Sequence, residues 1–140
     1  MSVSHKDNGI RVETDAFEHR QVEPHFINPC CFGEDFAVWL KGDLSPLSDA
    51  GFTFSDPIQE DWGWGFWAWR RRDPFWVALS YVGTGPQEPP AEWFITVNYD
   101  PGLNVIKRLF HKSDREALTQ LRDRVRQSLR SNSAIKVIEG

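Results

Sequence analysis

The fold is decided by residues 60–72, Glu-Asp-Trp-Gly-Trp-Gly-Phe-Trp-Ala-Trp-Arg-Arg-Arg, which open on two acids and close on three arginines. This segment holds four of the seven tryptophans in the 140-residue chain. Aromatic residues are enriched in strands, and successive side chains of a strand point to opposite faces of a sheet. The segment therefore predicts a strand over residues 62–70 that carries aromatic side chains on both faces.

The two faces of this strand are expected to have different surroundings. One face should pack against helices, because it matches apolar positions on the strands that follow. The other face, with Trp67, Trp69 and, from the next strand, Trp76, should form an aromatic patch beside a shallow hollow at Gly63 and Gly65. Three indoles of about 150–250 Å² each reach the largest patch usual on a monomer. The patch should therefore be covered by the first 30 residues, by another protein or by a ligand. The helix-facing set is Trp62, Trp64, Phe66 and Ala68.

Further strands are predicted on both sides of this segment from alternation and turn residues. They cover residues 10–17, 52–54, 75–82, 93–99 and 134–138. Residues 103–110 are ambiguous between a strand and a helical turn. Three consecutive strands with short connections are typical of an antiparallel meander.

Two helices are predicted from apolar residues repeating at helical spacing. The first begins near Glu34 and carries Phe36, Trp39, Leu40, Leu44 and Leu47, with Gly42 and Pro46 favouring an early end. The second follows the capping box that runs from Ser113 to Glu116, and carries Leu118, Leu121, Val125 and Leu129. The predicted fold class is α+β: a two-layer sandwich of a mainly antiparallel sheet of about five or six strands with two amphipathic helices on one face. Residues 1–140 form a single domain, of which residues 1–8 are expected to be disordered.

Charge and hydropathy narrow the classes of function. The net charge is −4, and residues 1–61 carry 12 acidic against 4 basic residues. An acidic chain is a poor general nucleic-acid binder, so no nucleic-acid partner is expected. No apolar run approaches the roughly 20 residues that span a bilayer, and no secretory signal is visible, so a soluble cytoplasmic protein without a membrane partner is expected.

Metal and cofactor sites are not predicted. The only cysteines, Cys30 and Cys31, are adjacent, and they are expected to be reduced thiols because a disulfide between neighbours closes a strained ring. Neither they nor the four histidines show zinc-ligand spacing. Nucleophile motifs and phosphate-binding glycine loops are also absent from the sequence, so no cofactor and no catalytic residue is predicted.

The charged residues at the two ends of the tryptophan segment are candidate binding residues. Glu60 and Asp61 lie near indoles, as in glycoside hydrolases, but adjacent side chains on an extended segment point apart. Arg70 could join Trp67 and Trp69 in a cation–π or base-stacking platform. The simpler interpretation of all three is a solvated turn or strand end with local ion pairs.

One part of the sequence is similar to a group of known proteins. It consists of the first predicted helix, then Gly51-Phe-Thr-Phe-Ser, and then Pro57-x-x-Glu60-Asp61-x-Gly63-Trp64-x-Phe66. It is similar to small uncharacterised bacterial α+β proteins with this strand entry, over about residues 33–98. The resemblance implies a compact bacterial domain and no assigned activity, and it does not extend to Trp67 or Trp69.

Two classes of function follow from these features. The first is a non-enzymatic binding domain that uses the face around Trp67, Trp69 and Trp76, with a protein partner or a second copy of itself. Such a partner could be a toxin if the chain is an immunity-type protein. The alternative is a sugar-binding protein or hydrolase that uses Glu60 and Asp61 beside the indoles, with a small ligand.

Overall fold

The computed structural model describes residues 9–27, 32–82, 90–101 and 115–139. These residues form the predicted α+β fold, a seven-stranded sheet with two main helices packed on it. The helices are α1 (Glu34–Asp43) and α2 (Arg115–Ser131), and a 3₁₀ helix spans Ser45–Ala50. The strands are β1 (Ile10–Glu13), β2 (Phe52–Phe54), β3 (Ile58–Glu60), β4 (Gly63–Arg70), β5 (Asp73–Tyr81), β6 (Glu92–Tyr99) and β7 (Lys136–Glu139).

Strand β4 lies near one edge of the sheet, whose order is β2-β4-β5-β6-β1-β7. Strand β3 also pairs with β4, beyond β2 along the same edge. All of these pairings are antiparallel. The predicted meander is thus β4-β5-β6, and β1 and β7 extend it on the far side.

The register of the meander gives its two faces, which we call the helix face and the outer face. Trp64 pairs with Leu79 and Phe66 with Val77, and these side chains are buried on the helix face. Trp67 pairs with Trp76 on the opposite, outer face. Both sets of neighbours were predicted from alternation and are confirmed.

The helices bury the apolar stripes that their periodicity predicts. In α1, Phe36 and Leu40 are fully buried, and in α2 the same holds for Leu121, Val125 and Leu129. Helix α1 ends at Asp43, and Pro46 opens the 3₁₀ helix that follows. This early end agrees with the prediction, because proline lacks the N–H that would continue an α-helix.

Two phenylalanines between β1 and α1, Phe17 and Phe26, pack on the helix face. The ring of Phe17 stacks on Phe36 with 4.2 Å between centroids, and Phe26 lies 5.1 Å from Trp64. Strand β1 ends at Glu13, earlier than the predicted 17, because the Thr14 hydroxyl turns the chain by donating to the carbonyl of Ala134 and accepting from the N–H of Ala16.

Several predictions lie outside the described residues. They are the disorder of residues 1–8, the thiols of Cys30 and Cys31, the ambiguous segment 103–110 and the Ser113 capping box. Within the described part of the chain, neither helix is long and apolar enough to cross a membrane.

Candidate interaction surface

Four indoles on the outer face form a continuous series of ring contacts, and we call them the tryptophan row: Trp69, Trp67, Trp76 and Trp62. Consecutive ring centroids are 6.2, 4.8 and 6.4 Å apart. Trp62 is 42% exposed, and the other three are partly exposed. Such contacts between aromatic rings stabilise by about 0.5–1.5 kcal/mol beyond the burial of area. The row is therefore a preformed feature that still presents apolar surface.

The position of Trp62 corrects the sequence prediction. Alternation assigned it to the helix face with Trp64, but its ring meets the edge of Trp76 at 85° on the outer face. The reason is that β4 begins at Gly63, and residues 61 and 62 form the turn of an unpredicted β3–β4 hairpin. A turn breaks the two-residue alternation, so the position of Trp62 cannot be extrapolated from the strand.

The hollow predicted beside the indoles is also corrected, because the ring of Trp76 lies over Gly65. A Cβ atom added to Gly65 would lie 2.5 Å from Cζ2 of Trp76 and 2.6 Å from the carbonyl oxygen of Val77. At Gly63, a Cβ would lie 2.5 Å from the carbonyl oxygen of Leu79. Glycine at these two positions therefore permits close packing of a ring and of a neighbouring backbone, rather than an open cavity.

The three arginines after β4 do not act as one group. Arg70 turns away from the indoles, and its guanidinium lies 5.9 Å from the centre of the Phe52 ring. Arg70 pairs with Asp73, so Arg71 and Arg72 form a two-residue hairpin turn, and both are exposed. The predicted platform of Arg70 with Trp67 and Trp69 is thus not assembled, and the arginines at this end of the row are Arg71 and Arg72.

The two candidate acids lie at the opposite end of β4. Glu60 pairs with Gly63, which places it on the same side of the sheet as the tryptophan row. Asp61 is exposed in the adjoining turn. Both residues take part in interactions within the fold. Being consecutive, they do not form a facing pair of carboxylates.

The outer face has further apolar members that sequence reasoning did not include in the site. Ile58 pairs with Gly65 and is 38% exposed. Phe94 pairs with Ser80 on the same face and is partly exposed. The pairing of Ile58 depends on β3. This strand has only three residues, which is too short for alternation in the sequence to predict it.

A pocket of about 250 Å³ lies away from the row, between the Phe26 segment and the start of α1. There, burial raises the pKa of Asp35, while the backbone N–H groups of Gln21 and Arg20 lower the pKa of Glu18. In the same pocket, Nε2 of His25 lies 2.6 Å from the Glu34 carboxylate.

That cavity does not show metal-site geometry. Among the described residues, no group of three or more histidine, cysteine, aspartate or glutamate side chains is arranged to hold a metal ion. The Asp35 carboxylate instead accepts the N–H groups of Glu18 and Phe36. The acids therefore serve to attach the segment between β1 and α1 to the helix.

No family model, curated protein or solved structure matches the chain. The resemblance to small bacterial proteins over residues 33–98 therefore stays a prediction. The arguments for a function rest on the geometry of the outer face.

Proposed function

We propose that the chain is a non-enzymatic interaction domain whose binding surface is the tryptophan row on the outer face. The observation that carries this proposal is the series of four contacting, partly exposed indoles on the side of the sheet opposite to the two helices. Tryptophan is enriched at protein interfaces and among the residues that contribute most to binding.

The packing of the rings favours a protein partner over a saccharide. Only Trp67 and Trp69 are close to parallel, at 21°, while Trp76 tilts 58° from Trp67 and Trp62 stands edge-on. The C–H face of a sugar ring stacks on a flat, exposed indole face, whereas a corrugated surface suits interlocking side chains. The positions of Phe17, Phe26 and both helices also favour binding, because these parts of the described chain pack on the helix face and do not cover the row.

The surface can be tested by site-specific photo-crosslinking in the cells that make the protein. A benzophenone amino acid would replace Thr53, which pairs with Trp69, or Ile58, which pairs with Gly65. The matched control is Val38, which is 55% exposed on α1. We expect crosslinked protein adducts from residues 53 and 58 and none from residue 38.

The adducts should depend on the indoles. The double variant Trp67→Ser/Trp76→Ser should lose them while its far-UV circular dichroism stays that of a folded protein. Adducts of equal yield from all three positions, or none at all, would contradict the proposal. A wild-type signal on a glycan array that Glu60→Gln abolishes would instead support the saccharide alternative.

Cytoplasmic location belongs to this proposal. The adjacent thiols of Cys30 and Cys31 suit a reducing compartment. A toxin bound by an immunity-type protein is one partner class that the crosslinking would identify by mass spectrometry.

A further inference from the structure

We infer that the partner of the outer face is a second copy of this chain, packed face to face with the two β4 strands antiparallel. This inference rests on the proposed function, since it names the partner of that surface. Its basis is a charge pattern along β4 that is complementary to itself.

The two ends of the tryptophan row carry opposite charge. Glu60 and Asp61 precede β4, and Arg71 and Arg72 follow it. The strand between them has eight residues and is roughly 23 Å long at about 3.3 Å per residue. The four indoles lie between them, so the apolar row is flanked by an acidic end and a basic end.

A two-fold axis parallel to the sheet and perpendicular to β4 matches these ends. That axis reverses the direction of β4 in the second copy, so each acidic end faces the basic end of the other copy. In such an isologous interface one matched pair of patches is made twice. A parallel arrangement would oppose acid to acid and arginine to arginine, which costs affinity.

The outer face is large enough for such a contact. Five strands about 4.8 Å apart and up to nine residues long give a face of roughly 600 Å² in projection. Projecting rings make the accessible area larger than this, and a standard interface buries about 800 Å² per partner. Two sheets packed in this way would form an aligned sandwich with the indoles between its two layers, near one edge.

Charge reversal with a mixing arm tests the inference. One variant carries Glu60→Lys and Asp61→Lys, and the other carries Arg71→Glu and Arg72→Glu. Sedimentation of the wild type from low to high micromolar concentration should show a monomer–dimer equilibrium. Each variant alone should dimerise at least about tenfold more weakly, because both of its end contacts then join like charges.

An equimolar mixture of the two variants should recover dimerisation, because the all-basic chain then meets the all-acidic chain at both ends. Far-UV circular dichroism of each variant establishes that it is folded. Trp67→Ser/Trp76→Ser should remove dimerisation in the wild-type charge background. Rising salt should weaken the wild-type dimer, an arm that does not depend on any variant folding.

The failures of the two proposals are distinguishable. A wild-type chain that stays monomeric throughout, while residues 53 and 58 crosslink to a different protein in cells, overturns the second copy as partner and keeps the binding surface. Dimers that ignore both charge reversals, or a mixture that gains nothing over its components, overturn the antiparallel arrangement. A monomer with no crosslinks overturns both proposals.

Discussion

Both faces of β4 carry aromatic side chains, but these are buried on one face and partly exposed on the other. On the helix face, Trp64 is 5% exposed and Phe66 is fully buried within the core that α1 and α2 close. On the outer face, Trp67 and its neighbours pack mainly against one another and stay partly accessible. Aromatic content alone therefore does not separate core from contact surface. The difference between the two faces is that helices cover the rings on the helix face, and no described helix covers those on the outer face.

The largest expected effect comes from removing one ring on the helix face. Phe66→Ala should lower the free energy of unfolding by about 3–5 kcal/mol, because the cavity it leaves is enclosed. Trp67→Ser should cost less than about 2 kcal/mol, since its partly exposed ring loses fewer buried contacts. Urea denaturation followed by circular dichroism measures both. Equal losses would mean that the two faces are equally part of the core.

A second prediction concerns the close packing of the Trp76 ring and the β5 backbone against Gly65. Gly65→Ala should lower the free energy of unfolding by about 1–3 kcal/mol, because the new Cβ meets the backbone carbonyl of Val77 and the ring of Trp76. The matched control is Gly42 in α1, where an added Cβ has nothing within 4 Å.

Gly42→Ala should raise stability by about 0.5–1 kcal/mol, because alanine loses less backbone entropy in a helix. The same urea titration compares the two variants. A neutral Gly65→Ala would show that the Trp76 ring and the β5 backbone yield easily, and that the outer face is loosely packed.

A third prediction concerns the turn at the basic end of the row. Arg71 has a φ of 60°, which costs a residue with a side chain about 1–2 kcal/mol relative to its preferred conformations. Arg71→Gly should therefore raise the stability of the monomer by about 0.5–1 kcal/mol after the entropy of glycine is subtracted. Thermal unfolding at low concentration, where association does not contribute, measures it. The control is Arg72→Gly, which should not stabilise, because Arg72 does not have a positive φ.

The smallest expected effect concerns the segment that covers the helix face. The N–H groups of Gln21 and Arg20 lower the pKa of Glu18 from its ordinary 4.5. The stability this gives is present above the unfolded pKa and is lost as pH falls through the folded pKa. Glu18→Gln should remove this contribution to the decrease in the free energy of unfolding at low pH. Solvent screening keeps the contribution below about 1 kcal/mol.

Asp35 serves as the matched control of opposite sign. Burial raises its pKa above 3.8, so protonation of Asp35 favours the folded state as pH falls. Asp35→Asn should therefore make the free energy of unfolding fall more steeply with decreasing pH, whereas Glu18→Gln should make it fall less steeply. Urea titrations from pH 6 downward compare them, and a shared direction would refute the assignment of these two carboxylates.

The sequence could predict those features that depend on regular alternation. The pairing of Trp67 with Trp76, the burial of Phe66 and the fold class all follow from strand periodicity and helix stripes. Features that depend on where a turn falls or where a ring tilts could not be predicted. Trp62 crossed to the outer face because a hairpin turn precedes Gly63, and the Gly65 hollow was filled because Trp76 leans across it.

The edge of the sheet beside β4 has a consequence for how copies can meet. It consists of β2 and β3, two pieces of three residues each, with Pro57 between them. Proline offers no N–H for pairing, and short interrupted edges are poor templates for the edge-to-edge addition of strands that builds a fibre. This side of the molecule therefore resists open-ended polymerisation. The proposed dimer would instead use the outer face, where a two-fold contact closes on itself and stops at two chains.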